Sequence, residues 1–111
     1  MITPRERRPG GCYVAPVDPD LGDEGALELA AIAKALADPT RLRILDVVRK
    51  AAPEAVCQCE LLPLFDMSQP ALSKHLKVLT SAGVLGAEKR GLWTYYYERP
   101  EAREELAEWL F

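Results

Sequence analysis

Between Cys57 and Leu79 the chain reads CQCELLPLFDMSQPALSKHLKVL, and the prolines in it leave few ways to fold. Proline is tolerated in the first turn of a helix but costs ~3 kcal/mol in its interior. Pro63 therefore predicts a short helix that begins near Cys59 or Glu60, with Leu61, Leu64 and Phe65 at helical spacing and both cysteines at or before its first turn. Asp66-Met67-Ser68 predicts a turn. Ser68 is placed to cap a second, longer helix whose first turn holds Pro70. That helix is expected to run to about Ala82 and to stop at Gly83. Leu72, Leu76 and Leu79 make its apolar stripe, and Gln69, Ser73, Lys74, Lys77 and Ser81 lie opposite. An apolar back with amides, hydroxyls and amines facing outward suits a helix lying in a DNA groove.

The flanks complete the pattern. Residues 1–23 carry Pro4, Pro9, Pro16, Pro19, Gly10, Gly11 and Gly22, which predicts an irregular, flexible arm bearing Cys12. The acids Asp18, Asp20 and Asp23 lack the spacing of a calcium loop and read as a solvated linker. A helix is expected over residues 24–37, with Leu29, Ile32, Ala33 and Leu36 inward. Asp38-Pro39 ends it and opens another, to about Ala51, with Ile44, Leu45 and Val48 inward. The period then changes. Val84–Glu88 and Leu92–Tyr97 read as strands around Lys89-Arg90-Gly91, a hairpin with a cationic tip. Pro100 opens a last helix, residues 100–111, whose Leu106, Trp109, Leu110 and Phe111 predict a dimerisation face. The fold class is thus mainly α with a β-hairpin wing: a winged helix-turn-helix over residues 24–99, expected to be homodimeric.

The chain is 111 residues long with net charge −3, enough for one domain. Its acidity does not suggest a nucleic-acid partner, but between Asp66 and Trp93 the balance is locally positive. The candidate contacts to double-stranded DNA are Ser68, Gln69, Ser73, Lys74, His75, Lys77, Lys89 and Arg90. His75 reads as a DNA-backbone or packing residue rather than a metal ligand. No apolar run approaches the ~18 residues of a membrane span. The opening MITPRERRPGG has no apolar signal stretch, so no membrane partner and a cytoplasmic location are expected. In that compartment Cys12, Cys57 and Cys59 are expected to be thiols or metal ligands. No nucleophile–base pairing or phosphate loop is visible, so the chain is not expected to be an enzyme.

Three stretches carry a family resemblance. ALADPTRLRIL at Ala35–Leu45, SQPALSKHLKVLTSAGVL at Ser68–Leu85 and KRGLWTYYY at Lys89–Tyr97 together resemble the ArsR/SmtB family of bacterial metal-responsive repressors. The resemblance implies a homodimeric winged-helix repressor that leaves its operator when a metal or metalloid binds. CQCEL at Cys57–Leu61 is similar to the CVCDL element of arsenite and cadmium/lead sensors, in which both cysteines are ligands. Where some arsenite sensors carry a third cysteine, this chain has Leu62, which leaves Cys12 as the remaining thiol. The family's C-terminal zinc site has no counterpart here, because the last helix lacks histidine.

Three sulfur donors form a soft site. They suit As(III) or Sb(III), each a pyramidal ion with a lone pair. Pb(II) also accepts three thiolates, and Cd(II) takes them with one further ligand. The expectation is release of operator DNA on As(III) capture by Cys12, Cys57 and Cys59, with Sb(III), Pb(II) and Cd(II) left open and no organic cofactor. The alternatives are a Cd(II)/Pb(II)-responsive repressor and a thiol-based redox-sensing repressor of the same fold.

Overall fold

The computed structural model describes residues 10–11 and 17–111. Cys12 and most of the expected arm lie outside the described residues.

Leu29, Ile32 and Ala35 recur at helical spacing in α1 (Asp23–Leu36) and are buried. Asp38 then accepts the Arg41 amide hydrogen at 3.3 Å and caps α2 (Pro39–Ala51), with Pro39 in the first turn. Ile44, Leu45 and Val48 face the core from α2, as the spacing predicts. Ala33 is a correction: it is exposed, and Ala35 takes the inward place. Ala35 falls three residues after Ile32, on the Leu29–Ile32 face, whereas Ala33 follows Ile32 directly and is turned away.

A strand of two residues, β1 (Val56–Cys57), leads into α3 (Gln58–Leu61). Pro63 sits not in the first turn of an α-helix but in a 3₁₀ turn, Leu62–Leu64, that follows α3. Proline has no amide hydrogen to continue the α ladder, so the chain tightens there. Leu64 is consequently turned outward at 54% exposure, while Leu61 and Phe65 stay buried.

The longer helix α4 (Gln69–Ser81) begins as predicted. Ser68 Oγ accepts the Ala71 amide hydrogen at 3.3 Å, and Pro70 stands in the first turn. Leu72, Leu76 and Leu79 are buried at 1% exposure or less. Gly83 ends the segment at φ +77°, backbone that a side chain would strain.

β2 (Leu85–Arg90) and β3 (Trp93–Glu98) form the hairpin, with Leu85 opposite Glu98 and Arg90 opposite Trp93. The tip is therefore Gly91-Leu92, and Lys89 and Arg90 belong to the end of β2 rather than to the turn. The Tyr97 ring lies over Gly86, where a Cβ would overlap it unless the ring moved. β1 adds to the other edge of β3, giving sheet order β1-β3-β2. α5 (Pro100–Leu110) returns to pack on α1 through the buried Ala102 and the partly buried Leu106. Glu98, at the base of the wing, accepts from Arg103 of α5 at 2.8 Å and pairs with Arg49 of α2 at 3.6 Å. The elements and their order are those of a winged helix-turn-helix. Among the described residues no helix is long and apolar enough to cross a membrane.

Candidate functional site

Cys57 closes β1 in extended backbone and caps α3. Its sulfur accepts the Cys59 amide hydrogen at 3.3 Å, and Glu60 Oε1 accepts the Cys57 amide hydrogen at 3.0 Å. This reciprocal cap starts the helix at Gln58. It also solves a geometric problem. Residues two apart face away from each other on a regular helix, but with Cys57 extended and Cys59 helical the two sulfurs converge. They pair as a disulfide, with Cα atoms 5.2 Å apart, which corrects the expectation of free thiols or metal ligands at these two positions. Cys57 is buried at 2% exposure and Cys59 is exposed. The pair thus has one anchored and one accessible member.

In the reduced state the same turn offers two sulfurs to one ion. Among the described residues no three His, Cys, Asp or Glu side chains gather into a metal-holding group. Of the three sulfurs expected from the sequence, the structure places Cys57 and Cys59 together, and Cys12 lies outside the described residues. Beside Cys59 a cleft of about 300 Å³ is walled by Leu62, Pro63, Gln69, Leu92, Trp93 and Thr94. It joins the cysteine turn, the start of α4 and the wing.

Two contacts fasten that turn to the surrounding elements. Cys57 lies opposite Tyr95, and Val56 opposite Tyr96, in the β1–β3 ladder. Gln58, between the two cysteines, donates from Nε2 to Ser73 Oγ of α4 at 2.7 Å. Neither contact is legible in the sequence: β1 is too short to show a period, and Gln58 and Ser73 are fifteen residues apart.

The sequence-predicted contact residues fall into two groups. Gln69, Lys74, Lys77 and Lys89 are exposed and form no salt bridge among the described residues. The others have partners within the chain. Ser68 caps α4, and Ser73 accepts from Gln58. Arg90 donates to Glu88 at 3.2 Å and stands 5.1 Å over the Tyr95 ring. That hydrogen bond and the Glu88 charge raise the guanidinium above its ordinary pKa. His75 is packed against α2: Arg41 Nη1 approaches its Nδ1 at 3.2 Å, and Asp38 Oδ2 lies 3.9 Å away. Arg41 also donates to the carbonyls of Ala35 at 2.6 Å and Lys34 at 3.1 Å, so one guanidinium ties the end of α1 to α2 and α4. Charged side chains on the outer side of a helix ordinarily face solvent or, beside DNA, phosphate. Arg41 is instead a brace, and Arg43 stands 5.3 Å over the Phe65 ring.

Comparison with known proteins places this architecture. Residues 38–85, from the Asp38 cap to the start of the wing, match the family described as bacterial regulatory protein, arsR family. The chain is 41% identical over 68 residues to an uncharacterized HTH-type transcriptional regulator of Methanocaldococcus jannaschii, a match covering 61% of this chain and 74% of that one. It is 40% identical over 68 residues to the arsenic resistance transcriptional regulator ArsR1 of Pseudomonas putida, covering 61% of this chain and 52% of the relative, so it spans about half that relative's length. Among solved structures it resembles the ArsR family transcriptional regulator RHA00566, with TM-score 0.71 and 29% identity, over 77% of this chain and 84% of that one. With the winged helix-turn-helix in place and the match running through its reading helix, the chain belongs to the arsR family, transcriptional regulators that bind DNA and are not enzymes.

Proposed function

We propose that the chain is a repressor that holds double-stranded operator DNA as a homodimer and releases it when As(III) or Sb(III) is captured by Cys57, Cys59 and Cys12. The observation that carries this reading is the convergence of the Cys57 and Cys59 sulfurs on a turn fastened to both the wing and α4. Two thiolates on that turn are a soft donor pair, and a third sulfur completes a pyramidal site. The arsenic-resistance relative supports the choice of ion. Pb(II) fits the same three donors, and Cd(II) fits them with one further ligand.

On the DNA side, Gln69 and Ser73 are placed to read base edges, and Lys74, Lys77 and Lys89 to neutralise phosphates. Ser68, His75 and Arg90 contribute at the margin, and each of them, like Ser73, shares its polar atoms with a neighbour inside the chain. The dimer forms through α1 and α5, where Leu27, Trp109, Leu110 and Phe111 are each more than half exposed. This divides the chain into an arm over residues 1–23, a DNA-binding domain over 24–99 and a dimerisation helix over 100–111. The protein works in the cytoplasm, a reducing compartment in which the Cys57–Cys59 pair is opened to the two thiols the site requires.

The test is operator binding by the reduced protein, followed by gel shift during titration with arsenite, antimonite, lead and cadmium. Release by arsenite or antimonite at the lowest concentration, lost in Cys57→Ser and Cys59→Ser, is the expected result. An operator complex indifferent to all four ions refutes the reading. A second reading rests on the sulfur pairing itself: closure of the Cys57–Cys59 disulfide would release DNA without metal. A mild oxidant with and without added thiol separates the two.

A further inference from the structure

We infer that Gln58 is a positioning residue, one that carries the state of the cysteine pair to the DNA-reading helix through its hydrogen bond to Ser73. This inference rests on the reading above for the identity of the signal, but not for the existence of the link.

The link follows from which parts of the turn are able to move. Cys57 is buried and held in the β1–β3 ladder opposite Tyr95. Cys59 is exposed and has no such partner strand. Joined in the disulfide the two sulfurs touch, whereas in the reduced turn they are free to part and take an ion between them. Bound to one centre with bonds of ~2.3 Å, as in a zinc thiolate, they stand roughly 3 Å or more apart. With Cys57 anchored, the displacement falls on Cys59 and on the residue between them, Gln58.

Gln58 reaches α4 by a single bond, Nε2 to Ser73 Oγ at 2.7 Å, in an exposed setting. A neutral hydrogen bond contributes only about 3- to 10-fold net, so a shift of Gln58 breaks it for a cost within reach of a bound ligand. Ser73 lies on the outward face of α4, one residue before Lys74 and four after Gln69. While the bond is made, the hydroxyl has a fixed direction and the first turns of α4 are tied to the cysteine turn. When it breaks, both constraints go. Effector and operator then favour different arrangements of the same bond, which is the requirement for coupling between two sites.

The experiment is a double-mutant cycle on coupling rather than on affinity. Operator Kd is measured by fluorescence anisotropy with and without a treatment of the cysteines, and the ratio of the two is the coupling factor. Dividing in this way removes any change in basal DNA affinity. The treatments are arsenite, cadmium and the thiol oxidant diamide, applied to wild type, Gln58→Ala, Ser73→Ala and the double variant. Each single variant is expected to lower the coupling factor by about 3- to 10-fold, the size of one neutral hydrogen bond, and the double variant by no more than either alone. Gln58→Glu, which keeps the length and accepts from the Ser73 hydroxyl, is expected to restore the coupling factor. Gln58→Met, which fills the same space without a hydrogen-bonding end, is expected to lose it, whereas a merely structural role would be met by either variant.

Arsenite-driven release of equal size in wild type and Gln58→Ala overturns the inference and leaves the metalloid reading standing. Release by diamide alone, dependent on Gln58, refutes the metalloid reading and supports the link. Single-variant effects that add in the double variant overturn the link, as does a wild type that holds its operator under all three treatments.

Discussion

Cys57 stands opposite Tyr95 in the pairing of β1 with β3, so a candidate ligand is part of the wing's own sheet. The adjoining cleft brings Trp93 of the same strand alongside Cys59. An event at the sulfurs therefore has a short path into the wing as well as into α4.

Trp93 gives an optical readout of that path. In a Trp109→Phe background, Trp93 is the remaining tryptophan. Arsenite added to the reduced protein is expected to change its emission saturably, and Cys59→Ser is expected to abolish the change. A flat titration in protein that has demonstrably bound arsenite would show that the wing does not sense the site.

The two kinds of exposed residue on α4 are expected to fail differently. Lys74→Ala and Lys77→Ala should each weaken operator and random DNA alike, and each should lower the salt slope of log Kd by about 1. Gln69→Ala should cost ~1–3 kcal/mol on the operator alone. Binding isotherms at several salt concentrations, on operator and scrambled duplex, distinguish the outcomes.

Arg41 is expected to matter for stability and not for ion capture. Its side chain is 18% exposed and serves the carbonyls of Ala35 and Lys34 together with His75. Arg41→Ala leaves those acceptors without a charged donor and should cost ~2 kcal/mol, since hydrogen bonds to charged groups contribute about 1.5–3 kcal/mol each. For a domain of this size that lowers Tm by roughly 10 °C. Thermal unfolding followed by circular dichroism checks this, and arsenite affinity below the transition should be unchanged.

Burial of the exposed α5 end predicts a monomer on substitution. Trp109 and Leu110 are 58% and 56% exposed, and Phe111 is fully exposed. Trp109→Asp with Leu110→Asp should shift the sedimentation coefficient from dimer to monomer and weaken operator binding by at least tenfold, because the two half-sites are then no longer linked. A wild type that sediments as a monomer at micromolar concentration would contradict the assigned face.

Much of this structure was legible in local chemistry. Asp38, Pro39, Ser68, Pro70 and Gly83 act within one turn of where they stand, and the helices they bound begin and end as expected. The buried stripes of α2 and α4 follow from the helical period alone. What escaped the sequence is what depends on distant partners. β1 exists because β3 lies beside it. Arg41 and His75 are thirty-four residues apart, so nothing local marks the arginine as a brace. The hairpin tip moved from Lys89-Arg90-Gly91 to Gly91-Leu92 because register is set by the whole ladder from Leu85–Glu98 outward, not by the charges near the turn. Of the candidate site, the Cys57 and Cys59 pair was marked by the resemblance of CQCEL to the CVCDL element, whereas the two contacts that tie it to the reading elements were not legible.

The most direct measurement takes both sides of one thermodynamic box. Operator affinity is determined with and without saturating arsenite, and arsenite affinity with and without saturating operator, on the same reduced protein. Arsenite is expected to weaken operator binding by about 5- to 150-fold, and operator to weaken arsenite binding by the same factor. Arsenite held tightly by Cys57 and Cys59 with both factors equal to one would contradict this expectation.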